Sequence, residues 1–284
     1  MRRASLVVLY AISLAAVGWL GWWGREYYAL PLVERPRHPL HWELKPGGEL
    51  GRAYGVAGAS LMVGMLSYSV RKRVPLLRRA GRLGSWLDFH IWCGVVGPLL
   101  IVLHSAFKVG GLIAIAFWSM VAVALSGILG RFLYAQIPRT AAGDQLSLDE
   151  ARRLDAGLAE RLRQEFGLDE RHVALLDPLE DAGGAEPALL GAVAGMALAP
   201  FRFRSHFAAF RRSLPHIPRH RLSQLRRLAR QRAQLHHRIR LWRRVHELFH
   251  YWHVFHKPFA LLMYLFATIH IGVAWATGYA VGGG

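Results

Sequence analysis

The chain has 284 residues, of which 53% are hydrophobic and 19% charged, and a formal net charge of +18. A single cysteine, Cys93, excludes an iron–sulfur cluster, a cysteine-rich zinc site and an internal disulfide, because each needs several thiols. Several apolar runs reach the ~20 residues that a helix needs to cross a bilayer. Composition therefore predicts an integral membrane protein.

Five apolar segments predict an all-α membrane protein that is built as a five-span helical bundle. These segments are 5–24, 53–70, 86–107, 111–135 and 257–280. The first segment follows Met-Arg-Arg and has no small-x-small cleavage site, which favours an uncleaved anchor over a signal peptide. The predicted domains are 1–135 with four spans, a helical insertion at 136–255, and 256–284 with the fifth span and a short tail.

The distribution of basic residues predicts the orientation of the spans. The loop 71–85 contains six Lys and Arg residues and no acid, and the segment 136–255 is rich in arginine. Because cytoplasmic loops carry such an excess, we expect the N-terminus, this loop and the insertion to be cytoplasmic and the C-terminus to lie outside. The expected location is an inner (plasma) membrane of the bacterial type.

The insertion before the fifth span contains two predicted helices of opposite character. Residues 147–166 carry a capping box, Ser147 with Glu150, an apolar face of Leu154, Leu158, Leu162 and Phe166, and Gly167 as a C-cap. Residues 202–244 contain 14 arginines and no acid, which predicts a basic amphipathic helix on the inner leaflet. The apolar segment 188–201 is short for a span, and we expect it to be packed or interfacial.

The high pI of about 11.1 is also typical of nucleic-acid-binding proteins. Basic residues beside membrane spans, however, usually set topology and contact anionic lipid. We therefore expect no nucleic acid partner and an anionic lipid contact at the basic insertion. Docking of an acidic redox partner on the same arginines is the alternative.

Two histidine pairs carry the chemistry that the sequence predicts. His90 and His104 lie in the third span, and His256 and His270 lie at the start and inside of the fifth, each pair 14 residues apart. Fourteen helical steps return to within about 40° of the same face and rise roughly 21 Å. Ionisable residues inside a bilayer are costly and indicate function, although a single histidine is often only an interhelical hydrogen-bond partner.

The order of the spans predicts how these histidines meet. The third and fifth spans run in the same direction because one span lies between them. His90 is then level with His256, and His104 with His270, so that each pair can ligate one haem iron from both sides. The resulting expectation is two haems b with iron ligands His90, His104, His256 and His270. His253 is roughly 100° off the face of His270, which favours His256 as the ligand.

Further residues are candidates for holding these cofactors. Gly97 lies midway between His90 and His104, where a small residue admits a flat macrocycle, although small residues are also enriched in plain helix packing. Haem propionates need cationic partners. The candidates are Arg73, Arg131 and Lys257 at the inner level and Lys108 at the outer level. Asp88, two residues before His90, is expected either to cap the third span or to orient a ligand.

The two motifs HIWCGVVGPLLIVLH (90–104) and HKPFALLMYLFATIH (256–270) resemble the transmembrane domain of the ferric reductase and NADPH oxidase superfamily. The resemblance covers about 55% of the chain and implies two b haems stacked between parallel helices. It also implies that electrons enter from cytoplasmic NAD(P)H through a flavin and leave outside.

The chain departs from that family because no flavin or nicotinamide domain follows the last span. We therefore expect the electron donor to be a flavoprotein, an iron–sulfur protein or a quinol. The expected function is an electron-transfer subunit of a larger oxidoreductase. The alternatives are a quinone-reactive haem b anchor and a histidine-based metal or proton transporter.

Overall fold

The computed structural model describes residues 3–138, 146–174, 189–214 and 217–278, and every regular element in these ranges is helical. The longer helices are α1 (Arg3–Trp23), α4 (Glu49–Gly64), α5 (Leu66–Arg73), α6 (Leu83–Ser105), α7 (Gly111–Gln136), α8 (Leu148–Phe166), α10 (Leu189–Ser213), α11 (Arg219–Arg240) and α12 (Trp242–Ala276). The short helices are α2 (Arg25–Ala29), α3 (His41–Leu44) and α9 (Glu170–Ala174). The chain divides into two compact units, Met1–Arg131 with His253–Gly284, and Phe132–Trp252.

Five stretches of the described chain are long and apolar enough to cross a membrane, as the sequence predicts. They are Ala4–Trp23, His41–Arg73, Leu83–Ser105, Gly111–Gln136 and Trp242–Ala276. Large apolar side chains along them are open, and Ile12, Leu125 and Leu261 are each more than half exposed. Such surface suits a bilayer, where backbone groups are satisfied within each helix and apolar side chains face lipid.

Helices α4 and α6 pack closely through small residues in the first unit. A Cβ on Gly58 would lie 2.9 Å from the carbonyl oxygen of Gly97, and a Cβ on Gly97 would lie 3.1 Å from Met62 Cγ. Gly97 is buried in this contact. The structure therefore favours helix packing, which was the alternative interpretation of Gly97, as the reason for a small residue here.

The second span, predicted as one helix over 53–70, is interrupted. Helix α4 ends at Gly64 and α5 begins at Leu66, so that Met65 lies between them. The carbonyl oxygen of Met65 accepts the backbone N–H of Tyr68 at 3.4 Å, a bond of the tighter i to i+3 type.

Helix α6 ends in a strained turn that a buried arginine holds. Ala106 and Phe107 have φ of 45° and 59°, a left-handed conformation that non-glycine residues adopt at a cost of about 1 kcal/mol. Arg35 donates to the carbonyl oxygen of Ala106 and, at 2.9 Å, to those of Leu30 and Tyr28. The sequence analysis does not anticipate this buried arginine.

The fifth span begins earlier than predicted. Helix α12 starts at Trp242 rather than near residue 257, and Pro258 lies inside it rather than in its first turn. His256 is therefore surrounded by helix on both sides. The last two residues of the predicted span, 279 and 280, and the predicted outer tail at 281–284 lie outside the described residues.

The second unit, Phe132–Trp252, contains most of the residues 136–255 that were predicted as the insertion. Helix α8 begins with the predicted capping box, in which Glu150 N donates to Ser147 Oγ at 3.2 Å and Ser147 N donates to Glu150 Oε2 at 2.7 Å. Gly167 has a φ of 64° and forms the predicted left-handed cap. On the predicted apolar face, Leu162 and Phe166 are buried, but Leu154 is 50% exposed.

The expectation of one basic helix over 202–244 that inserts its apolar face into the membrane is wrong in two respects. The segment contributes to α10, α11 and the start of α12. The apolar face of α11, with Leu225, Leu228 and Ala229, is buried in a core with Leu162 and Phe166 of α8 and with aromatic residues of α10. Those aromatic residues are Phe203, Phe207 and Phe210. Because this face is covered by protein, it cannot also be buried in lipid.

Candidate haem-binding site

One predicted ligand pair, His104 with His270, meets between α6 and α12. The ring centroids of His104 and His270 are 6.4 Å apart, with an angle of 55° between the ring planes. A metal–imidazole bond is about 2 Å long and the bonded nitrogen lies about 1.1 Å from its ring centre, so two axial ligands of one metal have centroids roughly 6 Å apart. The observed separation therefore fits two imidazoles that share one iron.

A main-chain group of α4 orients His104. Its Nδ1 lies 2.8 Å from the carbonyl oxygen of Gly51. The approach depends on Gly55, because a Cβ at that position would lie 2.7 Å from His104 Nδ1. A carbonyl can only accept, so Nδ1 carries the proton and the neutral ring keeps its lone pair on Nε2.

His90 is oriented in the same way at the other end of α6. Its Nδ1 lies 2.9 Å from the carbonyl oxygen of Met65, the residue between α4 and α5. The ring of Tyr68 lies 5.4 Å from the ring of His90, centroid to centroid. The interruption of the second span thus supplies the acceptor for this histidine.

His256 is held by a side chain of α7. Ser126 Oγ lies 2.8 Å from His256 Nδ1 and donates to the carbonyl oxygen of Val123 at 3.0 Å. A hydroxyl that gives its one proton to the Val123 carbonyl accepts from Nδ1, and this arrangement would leave the lone pair of His256 on Nε2. His256 and His90 are near enough to interact electrostatically.

His90 and His104 therefore present Nε2 for coordination, and His256 does the same in the arrangement in which Ser126 accepts. Metal-ligating histidines usually donate their other ring N–H to a carbonyl or similar acceptor, which fixes the tautomer and raises ligand basicity. Within the described residues, no three His, Cys, Asp or Glu side chains form a group that could hold a metal ion. Haem requires no such group, because the porphyrin supplies four nitrogens and the protein only the axial ligands.

A packed layer separates the two histidine levels. Met62, Met120 and Met263 are buried together, and Met263 lies midway between His256 and His270 in the sequence. Tyr264 Oη donates to the carbonyl oxygen of Met62 at 2.6 Å and ties α12 to α4. The two ends of the bundle are thus separate sites with an apolar core between them.

The predicted propionate partners have different surroundings. Arg131 forms an ion pair of 3.8 Å with Asp88. Helix α6 begins at Leu83, so Asp88 lies inside the helix and does not cap it. Arg73, Lys108 and Lys257 are exposed, as topology-determining charges would also be.

Sequence reasoning misses the groups that orient the ligands. The carbonyls of Gly51 and Met65 have no sequence signature, since every residue has a carbonyl. Ser126 has a weak signal, because it is one of few hydroxyl groups in an otherwise apolar span. The glycines of α4 were also detectable, since Gly51, Gly55 and Gly58 recur at helical spacing.

No protein family, curated protein or solved structure matches this chain.

Proposed function

We propose that this protein is a membrane cytochrome b that transfers single electrons across the bilayer through two haems b. His104 and His270 hold the outer haem, and His90 and His256 hold the inner haem. The observation that supports the proposal best is the 6.4 Å separation of the His104 and His270 rings. The acceptors at Nδ1 of His90, His104 and His256 add independent support.

Haem, when bound, supplies one-electron oxidation and reduction of its iron. The residues of the chain perform the remaining tasks. Two imidazoles per iron leave no open coordination position, which favours electron transfer over oxygen binding. Hydrogen bonds at Nδ1 fix the ligand tautomers and tune ligand basicity, and the surrounding apolar core excludes water.

The topology proposed with this function has the N-terminus and the second unit on the cytoplasmic side of an inner membrane and the C-terminus outside. The donor is a cytoplasmic flavoprotein or iron–sulfur protein, or a quinol. The acceptor lies at or beyond the outer face. The arginine-rich second unit contacts anionic lipid, and nucleic acid is not a partner.

The decisive experiment is a haem count on the purified protein. A pyridine haemochrome assay and a reduced-minus-oxidised spectrum should give two b haems per chain. His270→Ala should remove one haem and leave the other, with His250→Ala, an exposed histidine of the same helix, as the matched control. Purified protein without Soret absorbance would refute the proposal and favour a transporter that uses the same histidines.

Quinol as donor is distinguished from a protein donor by a second measurement. Haem reduction in membranes by added quinol, and its loss with a quinone-site inhibitor, would assign the chain to a quinone-reactive anchor. Reduction that instead requires a purified flavoprotein or iron–sulfur protein would assign it to a protein-fed electron carrier.

A further inference from the structure

We infer that the exposed side of helix α10 is a membrane-docking surface that binds anionic phospholipid. This surface, called here the α10 face, has an apolar part followed by a basic part. It consists of Ala194, Ala197, Leu198, Phe201, Arg204, Ser205, Ala208, Arg211 and Arg212, all of them exposed. The positions recur every three or four residues, which places them on one side of the helix.

The other side of α10 is buried in the core of the second unit. Phe203, Phe207 and Phe210 are buried against α8 and α11. The opposite side nevertheless exposes Phe201 at 65% and Leu198 at 46%. A large aromatic side chain beside arginines is the pattern of a helix that inserts apolar residues at the headgroup level and binds phosphates with its cations.

The charges of the α10 face lack acidic partners in the described part of the chain. Arg204, Arg211 and Arg212 take part in no ion pair there, whereas the arginines of α8 pair with neighbouring glutamates. The stretch 202–244 contains no acid at all. Anionic headgroups complement such a surface, and each arginine close to them adds to binding.

Chain continuity keeps the second unit close to any membrane that α7 and α12 cross. The second unit begins within α7 and ends within α12, and both helices are long and apolar enough to cross a bilayer. The unit is thus tethered at both ends to membrane helices. A lipid surface is therefore close to the second unit at all times. The inference does not depend on the presence of haem.

This mode differs from the one that the sequence suggests. The sequence predicts a basic amphipathic helix over 202–244 on the inner leaflet, which would place the apolar face of α11 in the leaflet. That face is buried in the unit's own core, so insertion falls to Phe201 and Leu198 of α10. The two modes make opposite predictions for matched arginine substitutions on α10 and α11.

The test uses the full-length protein in nanodiscs of phosphatidylcholine, with or without phosphatidylglycerol. A Cys93→Ala, Phe201→Cys variant carries an environment-sensitive fluorophore, and Gln234→Cys on the exposed side of α11 is the control position. We expect a blue-shifted emission and quenching by lipid-attached nitroxides at position 201 only, and only with phosphatidylglycerol.

Two charge variants then separate α10 from α11. Replacing Arg204, Arg211 and Arg212 together with glutamine should weaken docking about a hundredfold and abolish the blue shift. The same change at three exposed arginines of α11 should leave both the docking and the blue shift unchanged. These arginines are Arg226, Arg227 and Arg230. Equal loss in both variants, or no lipid-dependent signal at position 201, would overturn the inference.

An acidic protein partner is the competing occupant. Protection of position 201 that appears with added polyglutamate but not with phosphatidylglycerol would assign the α10 face to a protein and refute the lipid assignment.

Discussion

Ser126 on α7 is hydrogen-bonded to His256 on α12, with 2.8 Å between Oγ and Nδ1. Among the oriented histidines, His256 alone relies on a side chain of another helix, since His90 and His104 rely on main-chain oxygens. A single substitution can therefore remove the orienting group and leave the proposed ligand in place.

Ser126→Ala should leave two haems per chain but raise the midpoint potential of the inner haem. Loss of the acceptor makes the imidazole a weaker electron donor, so the ferric state is less stabilised. The expected change is on the order of 1 kcal/mol, or about 40 mV for one electron. Potentiometric titration of the haem spectrum measures it. Ser126→Thr keeps the hydroxyl and should behave as wild type; unchanged potentials in Ser126→Ala would contradict the proposed role.

Gly55→Ala should remove the outer haem selectively. Its new methyl group would lie 2.7 Å from His104 Nδ1, so the ring must move away from the Gly51 carbonyl and lose its alignment with His270. A haem count should fall by about half, with the inner haem retained. Gly18→Ala is the control, because a Cβ there has no atom within 4 Å. Full haem content in Gly55→Ala would show that this approach is not required.

Asp155→Asn should destabilise the second unit without changing haem content. The Asp155 carboxylate lies 3.1 Å from His236 Nδ1 and 3.7 Å from Arg232 Nε, and both Asp155 and Arg232 are largely buried. Removing the negative charge takes away a carboxylate 3.7 Å from the buried Arg232 guanidinium, at a cost of about 3 kcal/mol. Chemical unfolding of the detergent-solubilised protein tests this. Asp149→Asn, at a carboxylate that is 84% exposed, should change stability by less than about 0.5 kcal/mol.

Stability of the second unit should fall as the pH is lowered through the range where His237 titrates. Burial lowers the pKa of His237 to about 4, with further repulsion from Arg202, Arg240, Arg238 and His236. The unfolded chain binds a proton near pH 6.5, so the stabilisation is complete above that pH and is lost progressively towards pH 4. The full effect is about 3 kcal/mol.

A comparison of thermal unfolding at about pH 7 and about pH 5 measures this dependence. His237→Leu should flatten the profile, whereas His220→Leu, at an exposed histidine of the same helix, should not. A wild-type profile that is already flat over this range would refute the linkage.

Much of the architecture follows from residue patterns. Hydropathy alone identifies the five long apolar helices, and Ser147, Glu150 and Gly167 define both ends of α8. These features depend on interactions within a few residues of one another, which a sequence displays directly. The start of α12 was missed because the apolar run begins only near residue 257, whereas the helix already begins at Trp242, in a stretch with charged residues.

The site was predictable to a smaller extent. Equal spacing identifies the four histidines, because helical geometry converts sequence distance into position along an axis. The groups that hold them come from α4 and α7, and no local pattern relates Gly55 to His104. The burial of α11 was easier to predict. Phe203, Phe207 and Phe210 recur at helical spacing in α10, and they form an apolar face that can pack against the leucines of α11.

The acceptors at Gly51 and Met65 are main-chain atoms, and this has a consequence for how the protein tolerates change. At Met65 the carbonyl survives replacement of the side chain, so its hydrogen bond to His90 depends on the path of the main chain. At Gly51 the residue itself is also required, because a Cβ there would clash with the main-chain oxygen of Lys45 and displace the carbonyl that holds His104. Replacement of the Met65 side chain would keep the hydrogen bond from His90 to the Met65 carbonyl, provided that the helix is still interrupted at this residue.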